Sequence, residues 1–155
     1  MLPLAAAALV VACGHSPRTT APRILAVQPV TAMVSGTPKT VLEGDADRLL
    51  YYSSSDSPTM VTCRNLCAET WIPFIKPQAP LIDPPYQNGP SGIFTWRWVA
   101  NECQAEYNGH PLYTYAGDLR PDEASGNDLQ DRWFVVTPNI APPAGWSGRR
   151  AQSSC

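Results

Sequence analysis

Charge is scarce in this sequence. Its 155 residues hold 11 Lys and Arg against 13 Asp and Glu, a net charge of −2. No basic stripe or run appears, which excludes a nucleic-acid surface and a polybasic membrane patch. Histidine is scarcer still: of His15 and His110, only His110 lies in the body of the chain. Long helices are excluded as well, because 17 prolines and 10 glycines are spread along the chain and interrupt any such stretch. What the chain does have is five tryptophans and six tyrosines, rigid apolar bulk for a compact β-rich core. The length allows one domain around one core. The expected fold class is all-β, small and loop-rich.

The N-terminus reads as an address. Leu2 to Val11 is an apolar run broken only by Pro3, too short to span a bilayer but suited to the apolar region of an export signal. Its end, Val10-Val11-Ala12-Cys13, resembles a bacterial lipobox, in which the peptide is cut before the cysteine and the thiol is lipidated. Residues 1–12 are then a lipoprotein signal peptide and Cys13 the anchored first residue. Met1-Leu2-Pro3-Leu4 lacks the usual basic residue, which a start upstream of Met1 would supply. Gly14 stands where an aspartate retains some lipoproteins at an inner membrane, and so points toward the outer one. Residues 13–38 are rich in Ser, Thr, Pro and small residues and read as a tether. Within it, Ile24 to Val27 and Val30 form a candidate edge strand.

Residues 39–138 carry the strand signals. Lys39–Leu42 and Arg48–Tyr52 read as strands about a turn at Glu43-Gly44-Asp45. One or two helical turns are expected between Arg64 and Trp71, stopped by Pro73, before a Pro-rich loop reaching Pro90. Ile93–Val99 is the clearest strand, with Phe94, Trp96 and Trp98 on one face, and Asn101 turns it into a hairpin. Asn108-Gly109 is a second tight turn, because both residues tolerate positive φ. Tyr113 and Tyr115 then share a strand face, and Arg132–Thr137 closes the domain. Residues 139–155 form a Pro/Gly-rich tail.

The two halves echo each other. Tyr51 and Tyr113 each follow a leucine and precede a carboxylate, Asp56 or Asp118, by five residues; Trp71 and Trp133 each follow that carboxylate by fifteen. Two related strand-turn units would bury together a core that neither buries alone. The pattern resembles a bacterial family of secreted lipoproteins with a repeated Y-x-[FYW]-x-x-D motif, described as a secreted repeat of unknown function. Tyr113, Tyr115 and Asp118 fit fully; in the first copy Tyr51 and Asp56 fit, but Ser53 replaces the aromatic. Cys63, Cys67, Trp71 and Pro73 are similar to the family's cysteine pair before a Trp-Pro element, with Ile72 inserted, and Arg132–Val136 resembles its closing strand. The resemblance spans about Thr40 to Pro138 and carries no established reaction, so it implies an address and a fold.

With Cys13 assigned to lipid, Cys63, Cys67, Cys103 and Cys155 make an even set that reads as two disulfides in an exported protein. Cys63–Cys67 would close a small loop and Cys103–Cys155 would staple the tail to the hairpin; spacing alone leaves the connectivity open. A redox or metal role for the first pair lacks the C-x-x-C spacing and a nearby histidine. His110 is expected to pack on Tyr107 or to bond backbone, since no nucleophile or carboxylate stands in catalytic spacing with it. Tyr113, Tyr115 and Asp118 invite a binding site; the structural alternative has Asp118 accepting amides of the Gly117 turn. Asp118, Asp122, Glu123, Asp128 and Asp131 crowd one loop whose carboxylates would suit a hard cation such as calcium, but the spacing matches no EF-hand or nonapeptide calcium repeat, and a solvated acidic loop is expected.

The sequence therefore points to a lipid-anchored envelope protein, periplasm-facing or on the outer surface. It is expected to act without catalysis as a structural or binding module, with no cofactor or metal. The membrane at Cys13, and an envelope polymer, another envelope protein or a small ligand, would be its partners. The alternative is an extracytoplasmic redox, metal- or cofactor-binding protein, centred on Cys63 and Cys67 or on a cofactor near His110, Tyr113 and Tyr115.

Overall fold

Tight turns with mirror-image geometry set the outer strands. In the computed structural model, which describes residues 27–76, 92–148 and 155, β1 (Gln28–Val34) and β2 (Thr37–Gly44) pair antiparallel. Their turn residues Ser35 and Gly36 have φ of 50° and 77°, the handedness that matches strand twist. A three-residue 3-10 turn at Asp45–Asp47 returns the chain as β3 (Arg48–Leu49), which pairs with the end of β2. Then follow β4 (Tyr51–Ser53), α1 (Leu66–Thr70) and β5 (Trp71–Pro73).

The second unit repeats this plan. β6 (Phe94–Val99) and β7 (Glu102–Tyr107) form a hairpin whose turn, Ala100–Asn101, has φ of 48° and 70°. Asn108 and Gly109, at 48° and 82°, turn β7 into β8 (His110–Pro111). Gly109 has a second reason to lack a side chain: a Cβ there would lie 2.4 Å from the Trp146 ring of the tail. β9 (Tyr113–Tyr115) and β10 (Trp133–Val135) complete the set.

The units are interlocked. Each contributes a three-stranded sheet, β1-β2-β3 or β6-β7-β8, and the central sheet runs β10-β4-β9-β5, alternating second, first, second, first. Tyr51 and Tyr113 face each other at its centre. Two rings of backbone hydrogen bonds repeat the exchange. In one, Leu42 N donates to Val136 O, Val136 N to Leu50 O, and Leu50 N to Leu42 O, at 2.8–2.9 Å. In the other, Ala105, Phe74 and Leu112 close the same cycle at 2.8–2.9 Å. Each ring joins two residues of one unit to one of the other, so neither unit satisfies its backbone alone.

Two clusters form the core. Val34, Val41, Leu49, Tyr51, Tyr113 and Trp133 belong to the first; Leu42, Leu50, Phe74, Tyr107, Leu112 and Val136 to the second. Within the first cluster the indoles of Trp71 and Trp133, one from each unit, stack 4.0 Å apart and 6° from parallel. Tyr51 meets Trp71 edge-on at 5.4 Å, and Tyr113 meets Trp133 the same way at 5.1 Å. Such pairs add about 0.5–1.5 kcal/mol beyond the area they bury.

The fold is mainly β, and its short helix falls between Arg64 and Trp71. β1 lies inside the stretch that composition marks as tether, and its seven residues are an edge strand of the first sheet. Alternation of buried Ala32 and Val34 with exposed Thr31 and Met33 is what composition alone obscured. Residues 138–148 are irregular but packed, with Tyr107 Oη donating to Pro138 O at 2.7 Å and Asn108 Nδ2 to Ile140 O at 2.8 Å. The signal segment, Cys13, residues 24–26 of the candidate edge strand, the loop at 77–91 and residues 149–154 lie outside the described residues. Among the described residues no helix is long and apolar enough to cross a membrane.

Candidate functional site

The pairing of β4 with β9 decides where the motif side chains go. Tyr51 Oη donates to Asp118 Oδ2 at 2.8 Å, and Tyr113 Oη donates to Asp56 Oδ2 at 2.7 Å. Each aspartate is held by the tyrosine of the other copy. The second oxygen of each carboxylate is held by a loop: Asp56 Oδ1 accepts from Thr62 N (2.8 Å) and Thr62 Oγ1 (2.7 Å), and Asp118 Oδ1 from Ser125 N (3.1 Å). The donors to Asp118 thus come from Ser125 and Tyr51 rather than from the Gly117 turn. That turn closes on its own backbone, Asp118 N to Tyr115 O.

Burial, then the facing carboxylate, raises Tyr51 and Tyr113 far above the ordinary phenol range. Both stay protonated and can only donate to the carboxylates. Burial also raises Asp118, against the lowering pull of the Tyr51 and Ser125 hydrogen bonds. The arrangement is a reciprocal clasp in which the motif's polar atoms are spent on one another.

The departure at Ser53 has a physical complement. Tyr115, in the full copy, stacks on Trp71 at 4.5 Å. In the other copy Ser53 has no ring to lay on Trp133, and the Arg132 guanidinium covers it instead, 5.4 Å from the ring centre. Arg132 Nε donates to Ser53 Oγ at 3.1 Å and Nη2 to Thr62 Oγ1 at 2.8 Å.

His110 is buried against the Tyr52 ring, 4.5 Å between centres, rather than against Tyr107. The β7–β8 turn pairs His110 with Tyr107 along the backbone and directs the imidazole toward β4. Its Nε2 lies 2.8 Å from Ala141 O; a carbonyl only accepts, so Nε2 carries the hydrogen. Nδ1 is buried and has no partner among the described residues, and burial lowers the pKa of the ring.

The remaining candidates separate. Cys63 pairs with Cys67, and Cys103 with Cys155. Of the acidic loop, Asp118 enters the clasp, Asp122 and Glu123 face Arg120 at 3.4 and 3.9 Å, and Asp128 and Asp131 are exposed. Among the described residues no three His, Cys, Asp or Glu side chains converge on a cation position.

Two features escaped the sequence reading. Arg97 Nε and Glu106 Oε1 form an ion pair at 3.0 Å with both side chains largely buried; Thr95 Oγ1 donates to Glu106, and Arg97 Nη1 to Pro58 O. An arginine alternating with aromatics on the Phe94–Val99 strand was the available signal. The second is a cleft of about 360 Å³ between the β6–β7 hairpin and the disulfide loop, bordered by Val99, Gln104, Cys63, Ala68, Pro73 and Ile75. Its walls come from segments far apart in sequence, so no local pattern announces it. A more polar depression of about 470 Å³ lies between Met33–Gly36 and residues 120–127.

This fold and clasp define a two-unit, disulfide-bonded β module. Residues 102–137, from the start of β7 to two residues past β10, match a family model described as a secreted repeat of unknown function. No curated protein and no solved structure matches the chain.

Proposed function

We propose that this protein is an exported lipoprotein of the cell envelope, anchored through Cys13, that works as a non-enzymatic binding or structural module. The observation that carries the non-enzymatic part is the clasp. Tyr51, Asp56, Tyr113 and Asp118 are the residues that repeat, and their phenols and carboxylates bond one another across the copies; Asp118 alone of the four also borders a shallow depression of about 230 Å³, beside Asp47 and Arg48. Repetition here serves assembly of the two units. The anchor rests on Val10-Val11-Ala12-Cys13, on the resemblance to bacterial secreted lipoproteins, and on the matched family, which is a lipoprotein family by name. Two disulfides suit an oxidising compartment.

The test is the intact mass of protein extracted from its native membrane, before and after reduction. The expected mass is Cys13 onward plus acyl chains, rising by about four hydrogens on reduction. An unlipidated mass overturns the anchor. The redox alternative draws on one observation, that Cys63 borders the open cleft. Mild reductants separate the two, since a pair that opens at the potential of the thioredoxin class would favour redox chemistry.

A further inference from the structure

The two units differ in hairpin length, and the difference leaves a seat open. Leu42 and Ala105 occupy the same place in their hydrogen-bonded rings. Beyond the Pro29↔Leu42 pair the first hairpin continues for five pairs, to Val34↔Thr37; beyond Trp96↔Ala105 the second continues for three, to Val99↔Glu102. The extra pairs of the first hairpin are used. Met33 N donates to Asp122 O at 2.8 Å and Met33 O accepts from Ala124 N at 3.0 Å, a parallel bridge to the other unit's loop, while Val34 is buried in the core.

Among the described residues the matching loop of the first unit has no such visitor. Thr62 N bonds Asp56 as Ser125 N bonds Asp118, so Val61 stands where Ala124 does, and both are buried. The second hairpin ends at Val99, and no strand end reaches the Val61 amide among the described residues. The 360 Å³ cleft lies beyond Val99, and Arg64 on its wall donates to Val61 O at 3.3 Å. Val99, Pro73 and Ile75 line it with apolar surface, and Arg64 and Glu102 add one charge of each sign.

We propose that this cleft receives an extended peptide segment of another envelope protein, an aliphatic side chain taking the place that Val34 holds in the other unit. The internal copy shows both the backbone pairing and the side chain that fits. This chain's own matching strand end is already seated in the other unit, so the occupant proposed is a segment of a different protein. Strand addition with a pocket for alternate side chains is a general mode of peptide capture. The proposal rests on the binding-module reading but not on the lipid, so the mass measurement and the test below can fail separately.

The probe is a capped synthetic peptide with the sequence of residues 29–35, titrated into the oxidised full chain while backbone amide shifts are followed. Saturable shifts at Val99, Ala100 and Gln104 are expected, with a peptide carrying Val34→Asp binding at least about tenfold more weakly. Ala68→Trp in the protein should abolish the shifts. A second variant lengthens the β6–β7 hairpin by two residue pairs copied from the first; it should lose peptide binding and gain melting temperature. Absence of shifts at the solubility limit, shifts elsewhere, or equal binding of the Val34→Asp peptide overturns the proposal. So does self-association that perturbs the same amides without peptide.

Discussion

If the clasp is reciprocal, energetic coupling must cross between the motif copies and be weak within each. Tyr113→Phe removes a donor 2.7 Å from a buried carboxylate, Asp56, and leaves it the two Thr62 bonds on its other oxygen. Hydrogen bonds to charged groups contribute about 1.5–3 kcal/mol net, so this variant should lose about 2 kcal/mol. Tyr51→Phe should lose less, about 1 kcal/mol, because its partner Asp118 is only half-buried and water can replace the phenol. Double-mutant cycles with Asp56→Ala and Asp118→Ala, read by urea unfolding with disulfides intact, isolate the pair terms. Coupling of about 1–2 kcal/mol is expected for Tyr113 with Asp56 and for Tyr51 with Asp118. The same-copy pairs, Tyr51 with Asp56 and Tyr113 with Asp118, should couple by less than about 0.5 kcal/mol. Stronger coupling within a copy than between copies would refute the interlocked arrangement, whatever the size of the single effects.

Four further outcomes follow from the same geometry. His110 has a folded pKa below its free value of 6.5, so its contribution is complete above that pH and is lost as pH falls through the folded value. Urea midpoints should fall from pH 7 toward pH 5 and flatten in His110→Gln, while the raised Asp118 and Glu106 act oppositely at lower pH. At the alkaline end, Tyr51 and Tyr113 are raised above 10.0, so stability present below that pH is lost above it, and phenolate absorbance should appear together with unfolding. Replacing Cys103 and Cys155 by serine, a separation of 52 residues, should cost about 4 kcal/mol in denaturant unfolding; the Cys63 and Cys67 pair, separated by 4, should cost about 2. Arg132→Thr should lower the melting temperature by uncovering Trp133, and adding Ser53→Tyr should restore it by rebuilding the Tyr115–Trp71 stack in the other copy.

What the sequence determined by itself was local. Period-two alternation marked Phe94–Val99, positive-φ residues marked the turn at Asn108-Gly109, and proline spacing kept helices short. Even the pairing of the two halves was visible, because Tyr51, Asp56 and Trp71 recur at the same spacing as Tyr113, Asp118 and Trp133. Sequence spacing also suggested that Asp118 accepts from its own turn, since local hydrogen bonds are the ones a sequence can display. Only the tertiary structure decided which tyrosine each aspartate takes, because antiparallel pairing of β4 with β9 brings the two copies' residues together across 57 or 67 positions of chain. The same holds for Arg132 standing in for an aromatic, for the buried Arg97–Glu106 pair, and for the cleft left by a hairpin two pairs short. Each is a relation between distant segments, set by strand register, and register is fixed only when both partners are present.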